Sequence, residues 1–150
     1  MKSISNRPIS VPFFHVVAAI IWQPGKDNSF LISKRQKGKH LEGFWELPGG
    51  KLKPGEGRLN GLRRELEEEI NIRCTDTRPF RQVRHEYKDR SILLDVWEVR
   101  AYEGVVKARE AQQVRWIGVE EMAGYRFPEA DRPIIDAIAN SAKAGRVRRP

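Results

Sequence analysis

Four of the five glutamates between positions 56 and 69 are the residues of this sequence most suited to chemistry. Glu65, Glu68 and Glu69 lie within five consecutive residues, and Glu56 lies one loop earlier. A helix advances about 100° per residue, so the first three carboxylates are predicted to share one side. Carboxylates on one face repel each other unless a cation lies between them. Hard dications such as Mg²⁺ prefer oxygen ligands and leave positions for water or phosphate.

Phosphate chemistry follows from that preference. A dication held by the cluster could polarise a phosphoryl oxygen, neutralise developing charge and activate a water molecule. The alternative is a solvated acidic helix face, because runs such as Glu67-Glu68-Glu69 are common on surface helices.

The cluster lies on the clearest predicted helix of the chain, Arg58 to Ile70. Its apolar residues recur at intervals of three or four and form one stripe, at Leu59, Leu62, Leu66 and Ile70. The glutamates are predicted to point away from that stripe. Asn71 follows, and asparagine tolerates the left-handed conformation that often ends a helix.

The segment Gly50 to Ile72 resembles the signature of the Nudix hydrolases, G-x5-E-x7-R-E-U-x-E-E-x-G-U, where U is a bulky apolar residue. Its matching positions are Gly50, Glu56, Arg64, Glu65, Leu66, Glu68, Glu69 and Ile72. Asn71 stands where the family has glycine, and we expect a small loss of stability and no loss of metal. Gly57 stands where serine or threonine often caps the helix, which weakens that cap slightly.

The resemblance implies a metal site that uses Mg²⁺, with Mn²⁺ as a substitute. The implied metal-binding residues are Gly49, Glu56, Glu65, Glu68 and Glu69. Gly49 contributes its main-chain carbonyl, and Glu56 binds through water or anchors the loop. Arg64 is implied to orient a signature glutamate, a task that suits a bidentate guanidinium.

Segments outside the signature resemble the MutT branch of the family, which hydrolyses oxidised nucleoside triphosphates. The similar segments are Phe44 to Gly50, which leads into the signature, and Phe127 to Pro133, which resembles a base-recognition segment. The likeness implies that the nucleotide contacts Arg35, His40, Glu46, Leu47, Phe127 and Asp131. Arg35 suits phosphate because it is a planar cation, and Phe127 packs either on the base or in the core.

Glu110 lies in a later loop, ahead of Trp116, and the likeness to the MutT branch makes it a candidate metal ligand or general base. The sequence leaves open whether Glu110, Glu65 or Glu68 takes the proton of the attacking water. An ordinary exposed loop carboxylate is the alternative for Glu110.

Asp131 departs from the MutT pattern, which has asparagine at this position. An amide both donates and accepts, so it matches the mixed edge of 8-oxoguanine, whereas an ionised carboxylate only accepts and favours an amino group such as that of cytosine. A carboxyl kept protonated by burial would again serve 8-oxoguanine. A helix N-cap ahead of Pro133 is the structural alternative.

Length and composition indicate one domain over residues 1–150, which the resemblance implies is a Nudix domain, with flexible ends expected at about 1–10 and 143–150. The net charge of +8 favours polyanionic partners. The single cysteine, Cys74, excludes an internal disulfide and favours a reducing compartment. The apolar run Val11 to Trp22 is interpreted as a buried strand because His15 interrupts it, so we expect a cytoplasmic protein without membrane contact.

Strands alternating with two helices predict an α/β fold. The resemblance specifies it as a Nudix-type α/β/α sandwich, with a mixed β-sheet flanked by helices. The predicted strands are Phe13 to Trp22, a strand starting at Phe30, Phe44 to Leu47, Arg81 to Tyr87, Ser91 to Val99 and Val114 to Ile117. Pro133 to Ala142 is the predicted closing helix, followed by a basic tail.

The leading prediction is an Mg²⁺-dependent hydrolase that cleaves nucleoside triphosphates to monophosphate and pyrophosphate. Sanitation of oxidised dNTPs such as 8-oxo-dGTP, a DNA-repair role, is the expected task, and CTP or another pyrimidine nucleotide is the alternative. A different class is an inactive nucleic-acid-binding module, which the intact Glu65, Glu68 and Glu69 argue against. We therefore expect a nucleotide partner and no nucleic acid, while the sequence leaves the oligomeric state open.

Overall fold

The computed structural model describes residues 11–39 and 41–143 as two β-sheets flanked by two α-helices. The strands are β1 (Phe13–Ile21), β2 (Ser29–Lys34), β3 (Trp45–Glu46), β4 (Gly49–Lys51), β5 (Arg73–Glu86), β6 (Ser91–Glu103) and β7 (Val114–Gly118). The helices are α1 (Arg58–Ile70) and α2 (Arg132–Lys143). This arrangement confirms the predicted α/β sandwich.

The larger sheet is mixed and has the order β4-β1-β6-β5. Strand β1 pairs antiparallel with β4 and parallel with β6, and β5 pairs antiparallel with β6 at the outer edge. The smaller sheet is antiparallel, with β2 between β3 and β7. A single bridge between Trp22 and Phe30 links the turn after β1 to β2, so this turn is a corner between two sheets.

Alternating side chains of β1 fill two cores, as expected for a central strand. Val17, Ala19 and Ile21 face the core under α1, while Ala18 and Ile20 face the core under α2. The helix α1 contributes Leu62, Leu66 and Ile70, all fully buried. The predicted leucine stripe therefore fixes α1 against the sheet.

Both ends of α1 match the sequence prediction. The helix spans Arg58–Ile70, and Asn71 has the left-handed conformation with φ of 66°. The amide of Asn71 donates to the carbonyl oxygen of Glu67, which satisfies an acceptor in the last turn. Asparagine thus performs the conformational role of the glycine found in the family signature.

Strands β5 and β4 differ most from the prediction, while β6 continues past the predicted Val99 to Glu103 and β3 is shorter than predicted. Strand β5 begins at Arg73, eight residues before the predicted Arg81, and contains register shifts that include one between Pro79 and Arg81. A proline is tolerated there because β5 is an edge strand, whose outward N–H groups need no partner. Strand β4 was not predicted, because its glycines form a strand only by pairing with β1.

The predicted flexible ends are about 1–10 and 143–150; Lys143 is the last residue of α2, and the rest of both ends, with the candidate residue His40, lie outside the described residues. Within the described part of the chain, neither helix has the length and apolar character needed to cross a membrane.

Candidate active site

Strand β4 and helix α1 come close together because Gly49 and Gly50 have no side chains. A Cβ atom on Gly50 would lie 2.3 Å from the carboxyl carbon of Glu65. A Cβ atom on Gly49 would lie 2.0 Å from the carbonyl oxygen of Val17 on β1. Any larger residue at these positions would displace either the Glu65 carboxylate or the strand pairing.

Glu69 is the most enclosed carboxylate of this region, at 6% exposure. Its Oε1 accepts the backbone N–H of Gly49 at 3.0 Å, and its Oε2 accepts the hydroxyl of Ser33 at 3.3 Å. Burial raises the pKa of Glu69 to about 8, and repulsion from Glu46 adds to the shift. No lysine or arginine in the described ranges forms an ion pair with it, so a dication would supply the missing positive charge.

Arg64 organises the other signature glutamates. Its Nε and Nη2 donate to the two oxygens of Glu56 at 2.6 and 2.9 Å, and its Nη1 donates to Glu65 and Glu68, each at 3.1 Å. These bonds lower the pKa of Glu56 to about 2. Burial nevertheless raises the pKa of Glu65, against the pull of Arg64.

The signature glutamates separate into two groups. Glu65 and Glu69 line a cleft, whereas Glu56 and Glu68 lie on its outer side against Arg64, with 52% of the Glu68 side chain exposed. Among residues 11–39 and 41–143, no three acidic, histidine or cysteine side chains form a preassembled metal site. The oxygen donors of Glu65 and Glu69 nevertheless fit a hard dication, because their burial disfavours charge without a cation.

The cleft has a volume of about 470 Å³, within the range of small-molecule sites. It brings together most of the predicted site residues, namely Arg35, Glu46, Leu47, Gly49, Glu65, Glu69, Glu110 and Asp131. Glu46 interacts electrostatically with both Glu69 and Asp131, so it connects the metal-binding and base-recognition regions. Arg35 donates to Glu46 at 2.8 Å.

Asp131 is buried, at 8% exposure, in the wall of the cleft. Burial raises its pKa to about 8, and repulsion from Glu46 contributes, while Arg35 and Arg132 act in the opposite direction. The residue ends a short 3-10 helix, Glu129–Asp131, that leads directly into α2. Because its pKa is raised to about 8, the Asp131 carboxyl is mostly protonated at neutral pH.

Phe127 does not line the cleft, contrary to the prediction that it contacts the base. The ring is buried at 6% exposure in the core that includes Ile134 and Ile138 of α2. Removal of so large an apolar surface from water favours this position. The core alternative for Phe127 is the correct one.

The sequence interpretation missed several residues that line the cleft, among them Ser33, Lys39, Tyr87, Arg90 and Gln112. Tyr87 and Arg90 flank the turn of the predicted hairpin, where functional residues often lie. The Tyr87 hydroxyl accepts the backbone N–H of Ala130 at 3.3 Å, and this joins the hairpin to the Asp131 segment. Ser33 and Gln112 carried no sequence signal, because their contacts to Glu69 depend on the fold.

Comparisons with known proteins agree with this geometry. The NUDIX domain family model matches residues 17–137. The CTP pyrophosphohydrolase of Escherichia coli K12 is 36% identical over 123 residues, which cover 82% of this chain and 89% of that protein. The 8-oxo-dGTP diphosphatase of the same organism is 32% identical over 110 residues, which cover 73% of this chain and 85% of that protein.

A solved MutT structure, from work on Aliivibrio salmonicida and Vibrio cholerae, shares the fold with a TM-score of 0.74 and 37% identity. The match covers 86% of this chain and 98% of that one. With the signature helix, its glycine-supported glutamates and the adjoining cleft, these similarities show that the chain belongs to the Nudix hydrolase family and to its MutT-like group.

Proposed function

We propose that this chain hydrolyses nucleoside triphosphates to monophosphate and pyrophosphate with Mg²⁺, which Mn²⁺ can replace. Its preferred substrate is an oxidised purine dNTP such as 8-oxo-dGTP. The observation that carries the proposal is a single cleft lined by Glu69, Glu46 and the buried Asp131, in which Glu46 interacts electrostatically with both of the others. Such a cleft can hold the phosphates at one end and read the base at the other.

Glu65, Glu69 and the carbonyl of Gly49 are the proposed metal-binding groups. The bound cation would polarise a phosphoryl oxygen and lower the pKa of a water molecule. Arg64, supported by Glu56 and Glu68, keeps the Glu65 carboxylate in place. Direct metal binding by Glu56 and Glu68 remains a prediction.

Glu110 is the proposed proton acceptor for the attacking water. It lines the same cleft, and its charge raises the pKa of both Glu65 and Glu69, which places the three carboxylates near one another. Glu65 and Glu68 accept hydrogen bonds from Arg64, and Glu65 is also a proposed metal-binding group, so both carboxylates are already engaged. Glu110 therefore suits the role better than either of them.

The protonation state of Asp131 favours the modified purine. A protonated carboxyl has one O–H donor and a remaining acceptor oxygen. It can donate to O6 of 8-oxoguanine and accept from the N7–H that oxidation creates. Unmodified guanine presents an acceptor at N7, so it loses the second of these bonds.

CTP is the second candidate, and the ionised form of Asp131 favours it. An ionised carboxylate accepts from the exocyclic amino group of cytosine. The similarity to the CTP pyrophosphohydrolase of E. coli supports this alternative. Because the pKa of Asp131 is raised to about 8, the two forms exchange within a range of pH that an assay can reach.

The test is the ratio of kcat/KM for 8-oxo-dGTP to that for CTP between pH 6 and pH 9.5. We expect the ratio to fall as the pH rises through about 8, because the carboxyl loses its donor. Asp131→Asn should make the ratio independent of pH, and Asp136→Asn, at an exposed position of α2, should behave as wild type. The same pH dependence in wild type and Asp131→Asn would contradict the assignment of Asp131.

A further inference from the structure

One buried side chain, that of Gln112, joins the Glu110 loop to α1. Gln112 is 9% exposed. Its Oε1 accepts the backbone N–H of Glu110 at 3.0 Å, and its Nε2 donates to the backbone carbonyl of Glu69 at 3.2 Å. One amide group therefore links the main chains of two cleft carboxylates that lie 41 positions apart in the sequence.

Neighbouring residues attach the same loop to the last turn of α1, whose carbonyls lack partners within the helix. The backbone N–H of Arg109 donates to the Glu69 carbonyl at 2.9 Å, and that of Lys107 donates to the Ile70 carbonyl at 3.0 Å. The side chain of Gln112 accepts the N–H of Glu110, and the side chain of Gln36 donates to the carbonyl oxygen of Glu110. Two glutamine side chains thus bind both backbone polar groups of Glu110. These bonds fix the backbone of Glu110 and, with it, the direction in which its side chain leaves the main chain.

Ala111, between Glu110 and Gln112, adopts the left-handed conformation with φ of 60°. This conformation costs a residue with a Cβ atom about 1–2 kcal/mol. Such strain persists where surrounding contacts enforce it, and it is frequent at functional sites. The bond from the Glu110 N–H to the Gln112 side chain spans Ala111, and the bond to Glu69 attaches the same side chain to α1. Both bonds are therefore contacts of this kind.

We propose that Gln112 is a positioning residue, which sets the direction in which the Glu110 carboxylate enters the cleft relative to Glu69. The inference rests on the proposed function, in which Glu110 accepts the proton of the attacking water. Glu110 itself is exposed, so its orientation depends on its backbone bonds more than on side-chain packing. A displacement of about 1 Å in a reacting group can lower a rate by about 100-fold.

Gln112→Met is the first test, because methionine keeps the length of the side chain and removes both hydrogen bonds. We expect kcat for 8-oxo-dGTP or CTP to fall by about 10- to 100-fold, while KM changes by about twofold or less. Gln113→Met, at the adjacent exposed glutamine, is the matched control and should keep the wild-type kcat. If Gln112→Met does not fold, Gln112→Asn, which cannot span both partners, carries the same expectation.

The double variant with Glu110→Gln separates positioning from general stability. If Gln112 acts through Glu110, its substitution should cause no further loss of kcat once Glu110→Gln has removed the base. A full additional loss in the double variant, or a wild-type kcat for Gln112→Met beside an impaired Glu110→Gln, would overturn the inference alone. A wild-type kcat for Glu110→Gln would instead overturn the proton-acceptor role in the proposed function.

Discussion

A buried carboxylate lies at each end of α1, and the two differ in whether a cationic side chain pairs with them. At the N-terminal end, Arg58 donates to both oxygens of Asp95 at 2.6 and 2.9 Å, and His15 makes a third contact at 2.9 Å. At the C-terminal end, the side chain of Glu69 accepts bonds from one backbone amide and one hydroxyl. The first carboxylate is neutralised within the protein, and the second is not.

The pKa values express this difference. Burial alone would raise the pKa of Asp95, but its bonds to Arg58 and His15 hold it below the ordinary value. The pKa of Glu69 is raised to about 8 by burial and by repulsion from Glu46. At the N-terminal end, the guanidinium of Arg58 compensates for the burial of the Asp95 charge. At the C-terminal end, the charge of Glu69 would be compensated only by a bound cation. One end is therefore an anchor, and the other is the proposed ligand site.

The anchor lies at a helix end that has no side-chain cap. Gly57 has no side chain with which to cap α1, and the first turn contains no acidic residue. A cation in the first turn opposes the helix dipole. Arg58 is stabilised there by Asp95 and by the ring of Trp97, whose centroid lies 4.8 Å from its guanidinium carbon.

The largest effect is expected at the ligand site, from Glu69→Gln. This change removes a metal-binding charge at nearly constant volume, so turnover with Mg²⁺ should fall by several orders of magnitude. The free energy of unfolding should not decrease, because a neutral amide replaces a buried carboxyl. Steady-state kinetics and urea denaturation measure both quantities. Glu67→Gln, exposed on the same helix, is the control, and near-normal kcat in Glu69→Gln would count against its role.

An intermediate effect is expected at the anchor, from Arg58→Met. Removal of one partner of a buried ion pair costs about 3–5 kcal/mol, and the 42% exposure of the Arg58 side chain reduces our expectation to about 2 kcal/mol. Urea denaturation should show this loss, while kcat per folded molecule stays within about twofold of wild type. Arg63→Met, exposed one turn later, serves as control. A loss of turnover as large as that of Glu69→Gln would remove the distinction between the two ends.

The remaining effect concerns unfolding and not turnover: it is the pH dependence of stability in the metal-free protein. Because the pKa of Glu69 rises from 4.5 to about 8 on folding, the folded state retains a proton that the unfolded chain releases, so stability should decline between these values. The depressed pKa of Asp95 acts oppositely, and its contribution is present above about pH 4 and lost as the pH falls further. Urea denaturation in EDTA at several pH values measures both trends. If the free energy of unfolding changed equally with pH between pH 5 and pH 8 in wild type and in Glu69→Gln, this account would be contradicted.

Local patterns in the sequence were sufficient to predict the signature helix and part of the cleft. The leucine period gave α1 its bounds, and the conformational tolerance of asparagine predicted the left-handed Asn71. The spacing of Glu65 and Glu69 placed both on one side of the helix, and both line the cleft. Each of these features depends on neighbours within a few turns of the chain.

Features created by contacts between distant segments could not be predicted. Strand β4 needs its pairing with β1, and Phe127 lies in the core because α2 packs over it. The Asp95 anchor and the Gln112 bridge join residues on separate elements. Helix and strand periods assign a residue to a face of its own element, but they do not identify its partner on another element.

The location of bound dications tests the central claim most directly. Crystals of the wild-type protein soaked in Mn²⁺ with a non-hydrolysable nucleoside triphosphate analogue should show anomalous density beside Glu65 and Glu69, and none beside Asp95. No anomalous peak at those two glutamates, with the analogue visible in the cleft, would contradict the account.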